Sequence, residues 1–233
     1  MTGFKQGTLI YENKLAHETD VAGFRLEGDG ALSFPRGRMR IEGTRDPEEG
    51  QAANIVLWCD EDIPDSVVIS WDFYPIAEPG LCILFFAARG RNGEDVFSSS
   101  LKRRTGEYDQ YHHGDIDALH VSYFRRKAVS ERAFQTCNLR KSYGFHLVAQ
   151  GADPLPSIPD AAPPYRMAVL KSGPRVAFSV AQAAKEPIVV FDWQDDGRSW
   201  GGPPLSAGKI GFRQMTPMIA EYANLKVHQL DEG

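Results

Sequence analysis

The stretch SVVISWDFYPIAEPGLCILFFAA, Ser66–Ala88, decides the fold class. In its first part Ile69, Trp71 and Phe73 fall on one side of an extended chain, with Val68, Ser70, Asp72 and Tyr74 on the other. That alternation has the period of a β-strand, not of a helix. The last part, Leu81–Ala88, is apolar at every position, which fits a strand buried on both faces and is far too short to span a bilayer. Pro75 to Gly80 turns the chain between the two.

The same rhythm continues outward in both directions. Gly7–Tyr11, Arg38–Glu42 and Asn54–Cys59 precede the stretch, and Phe24–Leu26 and Ala31–Phe34 flank Gly28-Asp29-Gly30, a turn of the hairpin kind. After it come Leu119–Arg125, Gly144–Ala149, Tyr165–Leu170, Arg175–Val180, Pro187–Trp193, Lys209–Gln214 and Tyr222–His228. Lys171–Pro174 is expected to join two of these as a hairpin. Helical signal is confined to Ser130–Thr136, enough for a turn or two. Gly151–Pro164 carries five prolines and reads as a surface loop. The chain beyond that loop is too short for a core of its own, so one domain over residues 1–233 is expected. Strands at roughly ten-residue spacing, punctuated by glycine and proline, predict an all-β fold: a two-sheet antiparallel sandwich of the jelly-roll kind.

Composition narrows the function classes. A net charge of −5 argues against general nucleic-acid binding, which draws on a basic excess. No apolar run is long enough for a membrane helix. The N-terminus, MTGFKQGTLIYEN, lacks the pattern of a secretory signal. The three cysteines, Cys59, Cys82 and Cys137, have no metal-site spacing. A reduced, cytoplasmic protein is therefore expected.

Polar aromatic and cationic residues gather in one section, Arg103–His146. It holds four of the six histidines (His112, His113, His120, His146), with Tyr108, Tyr111, Tyr123, Tyr143, Arg103, Arg104, Arg125, Arg126, Arg140 and Lys141. That composition suits a groove for a hydroxyl-rich, anionic ligand.

Several blocks carry a family resemblance. GKIGFRQMTPMIAEYANLKV at Gly208–Val227 looks like the closing strands of concanavalin A-like lectin and glucanase domains. Combined with YHHGDI at Tyr111–Ile116, SYFRR at Ser122–Arg126 and CNLRKSYGFHLVAQGADPLP at Cys137–Pro156, it resembles the YesU-like family of bacterial concanavalin A-like proteins, whose function is unknown. The resemblance covers nearly the whole chain and implies a jelly roll and a setting in bacterial polysaccharide use. It transfers no catalytic residues.

Three chemistries compete on the residues themselves. Hydrolysis of a glycosidic bond needs two carboxylates, and the E-x-D-x-x-E pattern of glucanases is missing; Asp115 and Asp117 are the nearest substitute, and Asp72 and Asp192 are other strand acids beside aromatics. Cleavage of a uronic-acid chain by elimination needs cations to neutralise the sugar carboxylate and a Tyr or His to move the proton. His112, His113, Tyr123 and Arg140 are the candidates for chemistry. Tyr111, Arg104, Asp115, His120, Arg125, Asn138, Lys141, Arg213, Gln214 and Trp200 are the candidates for substrate contact. In an extended segment Tyr123 and Arg125 would share a face. Binding without turnover is the third reading, with Trp200 placed in a loop to stack on a sugar ring. No cofactor is expected. Calcium would need loop oxygens such as Asp29, Asp153, Asp195 and Asp196, and no calcium-loop pattern is present. An oligosaccharide is the expected partner.

Overall fold

Period-two alternation makes strands of most of the chain in the computed structural model, which describes residues 3–127, 132–182 and 185–230. The strands in chain order are β1 (Leu9–Asn13), β2 (Arg25–Glu27), β3 (Gly30–Ser33), β4 (Met39–Gly43), β5 (Ile55–Trp58), β6 (Val67–Ala77), β7 (Gly80–Gly90), β8 (Ile116–Arg126), β9 (Thr136–Ser142), β10 (His146–Ala152), β11 (Tyr165–Ser172), β12 (Arg175–Gln182), β13 (Ile188–Gln194), β14 (Lys209–Gln214) and β15 (Ile219–Gln229). They pair antiparallel into two sheets. One runs β13-β12-β11-β6-β15-β4-β3, with β1 added on β15; the other runs β10-β9-β8-β7-β14-β5-β2.

The facing sides of the sheets make the main core. From β6 come Ile69, Trp71 and Phe73; from β8 Val121 and Tyr123; from β15 Tyr222, Leu225 and Val227. Each large apolar side chain sealed there contributes about 1.5–3 kcal/mol. The apolar strand at Leu81 is indeed buried on both sides. Cys82, Leu84 and Phe86 enter the main core. Ile83, Phe85 and Ala88 lie on the opposite face, in a second cluster with Val56, Trp58, Val96, Tyr111, Ile116 and Ala118. That cluster forms because the long connection between β7 and β8, with a one-turn helix α1 (Asp109–His112), folds back over the outer face of the seven-stranded sheet.

Some local expectations change. Gly28-Asp29-Gly30 does not close a hairpin: β2 pairs with β5 in one sheet and β3 with β4 in the other, so the turn carries the chain between layers. Gly28, at φ +90°, lies so near the Asn54 carbonyl that a side chain there would collide with it. The hairpin of β11 and β12 forms as expected but with a tighter turn: Lys171 and Ser172 pair with Val176 and Arg175, which leaves Gly173-Pro174 to reverse the chain. Of the expected helical stretch, Ser130 and Glu131 lie outside the described residues, and Arg132–Phe134 makes a single 3-10 turn.

Candidate functional site

Where α1 and its loop stop covering the seven-stranded sheet, four strands present a patch of outward side chains. Alternation on β9 sends Asn138 and Arg140 outward while Cys137 and Leu139 enter the core. On β8, His120 and Ser122 face outward beside them: His120 sits opposite Arg140, and Ser122 opposite Asn138. On the other flank, Ile83 of β7 lies opposite both Ser122 and Arg213 of β14. Arg125 joins this face through an irregularity. Phe124 has φ +45°, a left-handed conformation that breaks the alternation, so Tyr123 and Phe124 both go inward and Arg125 turns out.

The result is a cleft of about 290 Å³. Its cations are Arg125, Arg140, Arg213 and Lys127. Leu81, Ile83 and Met215 give it an apolar floor, and Tyr108, Phe134 and Phe145 supply aromatic walls. Among the described residues, no Asp or Glu lines it.

The arginines reach only neutral oxygens among the described residues. Arg125 donates to the Ala133 carbonyl at 3.0 Å and to Thr136 Oγ1 at 2.7 Å. Arg140 donates to the Phe145 carbonyl at 2.9 Å and lies over that ring, 3.7 Å from its centre. Arg213 donates to Gln51 Oε1 at 2.9 Å, and its Nε is buried with no partner among the described residues. Burial pulls all three guanidinium groups below their ordinary pKa. A fold that desolvates clustered guanidinium groups without a carboxylate has left their charge to be met from outside.

A hydrogen-bonded chain runs into the sheet behind this wall. The Tyr108 hydroxyl is 2.8 Å from His120 Nδ1, and His120 Nε2 is 3.0 Å from Ser142 Oγ. His120 and Ser142 are buried, whereas Tyr108 lines the cleft. The Arg213 guanidinium lies 4.4 Å from the Tyr108 ring centre. Burial pushes the Tyr108 phenol up to about 12 and drives His120 well below the usual imidazole range, so both are neutral near pH 7. At the rim, His112 packs on Phe145, with ring centres 4.4 Å apart, and burial takes it down to about 4.

The cleft thus gathers Arg140, Arg125, Asn138 and Arg213, with His120 just beneath and His112 at the edge. Other candidates lie elsewhere, each for a visible reason. Tyr123 is sealed between the sheets against Trp71 and Phe73. Tyr111 and Arg104 are held by Glu27, the hydroxyl at 2.8 Å from Oε2 and the guanidinium at 2.8 Å from Oε1. Trp58 donates to the same carboxylate at 2.9 Å, so this network pins the β7–β8 connection to the sheet. Lys141 is fully buried; its ammonium donates to Asp195 Oδ2 and the Gly202 carbonyl, both at 2.7 Å, and to the Pro203 carbonyl at 2.9 Å. Gln214 turns inward and donates to the carbonyls of Ile41 and Met218. His113 and Asp115 line a different, open cavity of about 590 Å³ with Arg91 and Tyr143. Trp200 is exposed beside His146, at 6.2 Å between ring centres, outside the cleft lining.

The acids are engaged as well. Asp72 pairs with Arg166, Asp192 with Arg175, Asp153 with Arg126 and Asp29 with Arg45; Asp196 caps the amides of Arg198 and Ser199. Asp115 and Asp117 stand at the start of β8, away from Ser122 and Arg125. Residues that sequence reading did not assign to the site are Tyr108, Gln51, Phe134, Phe145 and the floor. Tyr108 was visible within the aromatic section, and Ser122 lies two residues from His120 on a strand; Gln51 and Met215 gave no signal.

The chain belongs to the family described as a domain of unknown function, DUF1961, whose model matches residues 8–227. It is 51% identical over 226 residues to the uncharacterized protein YesU of Bacillus subtilis (strain 168), covering 97% of this chain and 98% of that one. A crystal structure of a Bacillus subtilis protein of unknown function with a galectin-like fold superposes with a TM-score of 0.88 at 52% identity, covering 97% of each chain. The exoplasmic/lumenal domain of VIP36, in a form bound to Ca2+ and Man3GlcNAc, matches in fold with a TM-score of 0.62 at 10% identity, over 97% of this chain and 92% of that one.

Proposed function

We propose that this family member is a carbohydrate-binding protein whose ligand is an acidic oligosaccharide, held in the cleft on the outer face of the seven-stranded sheet. One observation carries the reading: Arg125, Arg140 and Arg213 converge there with only neutral oxygens as partners among the described residues. Guanidinium groups recognise a planar carboxylate through paired donors. The apolar floor and the Phe145 ring offer surfaces for the C–H faces of a sugar. At about 290 Å³ the cleft is at the small end of ligand sites and holds a short piece of a longer chain. The sandwich neighbour solved with Man3GlcNAc lends support from fold, as does the lectin-like architecture generally.

Calorimetric titration with uronate oligosaccharides and with their neutral counterparts tests this. Binding of the acidic series, weakened by added salt, is the expected result. Equal affinity for the neutral series, or no binding of either, overturns it. Cleavage of the bound chain is a second reading. Hydrolysis asks for two carboxylates flanking the bond, and none lines the cleft among the described residues; the Tyr108–His120 pair favours elimination.

A further inference from the structure

The hydrogen-bonded chain behind the arginine wall satisfies both ring nitrogens of the buried His120 and also links it to the cleft. Both partners of His120 are hydroxyls, which can donate or accept and so can pass a proton as well as satisfy the ring. One of these belongs to Tyr108, whose side chain lines the cleft where the ligand would lie. We infer that the cleft cleaves 4-linked uronate chains by β-elimination, with the Tyr108 hydroxyl moving the proton and His120 and Ser142 poising it. This rests on the acidic-oligosaccharide reading above.

The step balances without any co-reactant. Arginine donors neutralise the uronate carboxylate, which makes the C5 proton removable. As the Tyr108 oxygen takes that proton, its own phenolic proton shifts to His120 Nδ1, and the Nε2 proton of His120 stays directed at Ser142 Oγ. The electron pair of the broken C5–H bond is held by the carboxylate in the arginine field, then forms the C4=C5 double bond as the C4–O bond breaks. The departing oxygen receives a proton from Tyr108, and His120 returns the borrowed one. One product carries an unsaturated uronate end and the other a new hydroxyl, and every side chain is back where it began.

Both partners are neutral at rest, and because burial disfavours protonated His120, that form is transient and returns its proton within the cycle. A phenol held up to about 12 and an imidazole held far down do not ionise at rest. The proton therefore moves only in concert with the substrate, and neither group carries a standing charge that would pair with an arginine. Tyr108 is the catalytic residue here; His120 and Ser142 are positioning residues.

The test uses the full chain with oligogalacturonate, oligoglucuronate and mannuronate/guluronate oligomers, followed by calorimetry and by the ultraviolet absorbance of the conjugated double bond. The expected result is binding with rising absorbance for at least one oligomer. Tyr108→Phe should retain affinity within about threefold and lose roughly 10²–10⁴ of the turnover rate. Ser142→Ala should lower the turnover rate, leave KM near the wild-type value, and shift the pH–rate profile, which a purely structural role would not move. Binding without absorbance change across the panel, or Tyr108→Phe turning over at the wild-type rate, overturns the elimination and leaves the binding reading intact. Absence of binding itself overturns the reading beneath it.

Discussion

Replacing Arg140 with Gln separates a binding role from a structural one, because the two predict opposite balances of stability and affinity. Among the described residues, Arg140 makes one hydrogen bond, to the Phe145 carbonyl at 2.9 Å, and one stacking contact, 3.7 Å from the ring centre. A neutral-acceptor hydrogen bond at a half-buried site contributes about 1 kcal/mol, and such stacking about 0.5–1 kcal/mol. Glutamine keeps a donor for the carbonyl. It also removes a partly desolvated charge that disfavours the neighbouring Arg125. The losses and the relief nearly offset, so Arg140→Gln should change unfolding free energy by no more than about 1 kcal/mol in either direction. Affinity should respond differently. A charge-assisted bond to a ligand carboxylate is worth about 1.5–3 kcal/mol, or roughly 10–150-fold in Kd. Urea unfolding followed by tryptophan fluorescence gives the first quantity, and calorimetry with a uronate oligosaccharide gives the second. A variant destabilised by more than about 3 kcal/mol, yet binding as well as the parent, would refute the assignment and make Arg140 a structural cation.

Two other outcomes are expected from the same geometry. Lys141→Met leaves the buried Asp195 carboxylate and two carbonyls without their ammonium, so it should cost about 3–5 kcal/mol in urea unfolding; adding Asp195→Asn should recover part of that loss. His112 is held down to about 4 in the folded chain, against roughly 6.5 when unfolded. Between those values the unfolded chain binds the extra proton, so stability is full above about pH 6.5 and falls as pH drops toward 4, by up to about 1.4 kcal/mol per pH unit for this residue. His112→Asn should flatten that fall, measured by urea unfolding at pH 7 and pH 5.

The strands were legible because their signal is local. Trp71 and Phe73 alternate with Ser70 and Asp72 whatever else the chain does, and β11 and β12 carry their own turn. The gathering of cations and imidazoles between Arg103 and His146 was equally legible, and it, together with FRQM in β14, supplies the arginines and the asparagine of the site. The partners of individual side chains were not. Tyr111 and Arg104 look like ligand contacts until Glu27 arrives from 84 and 77 residues away. Lys141 looks like a substrate cation until Asp195, 54 residues on, closes over it.

The sequence by itself determined that this is a β-sandwich and that its cations concentrate on strands β8 and β9, since hydrophobic period and composition are properties of short segments. Only the tertiary structure decided which of those cations remain available to a ligand. The Phe124 bulge turns Phe124 into the core beside Tyr123 and moves Arg125 to the outer face, a one-residue change of phase where alternation alone puts Tyr123 and Arg125 on one side. The remaining choice lies in long-range pairing: a buried charge keeps its protein partner where the fold supplies a carboxylate, and Arg125, Arg140 and Arg213 are where, among the described residues, it supplies only neutral oxygens.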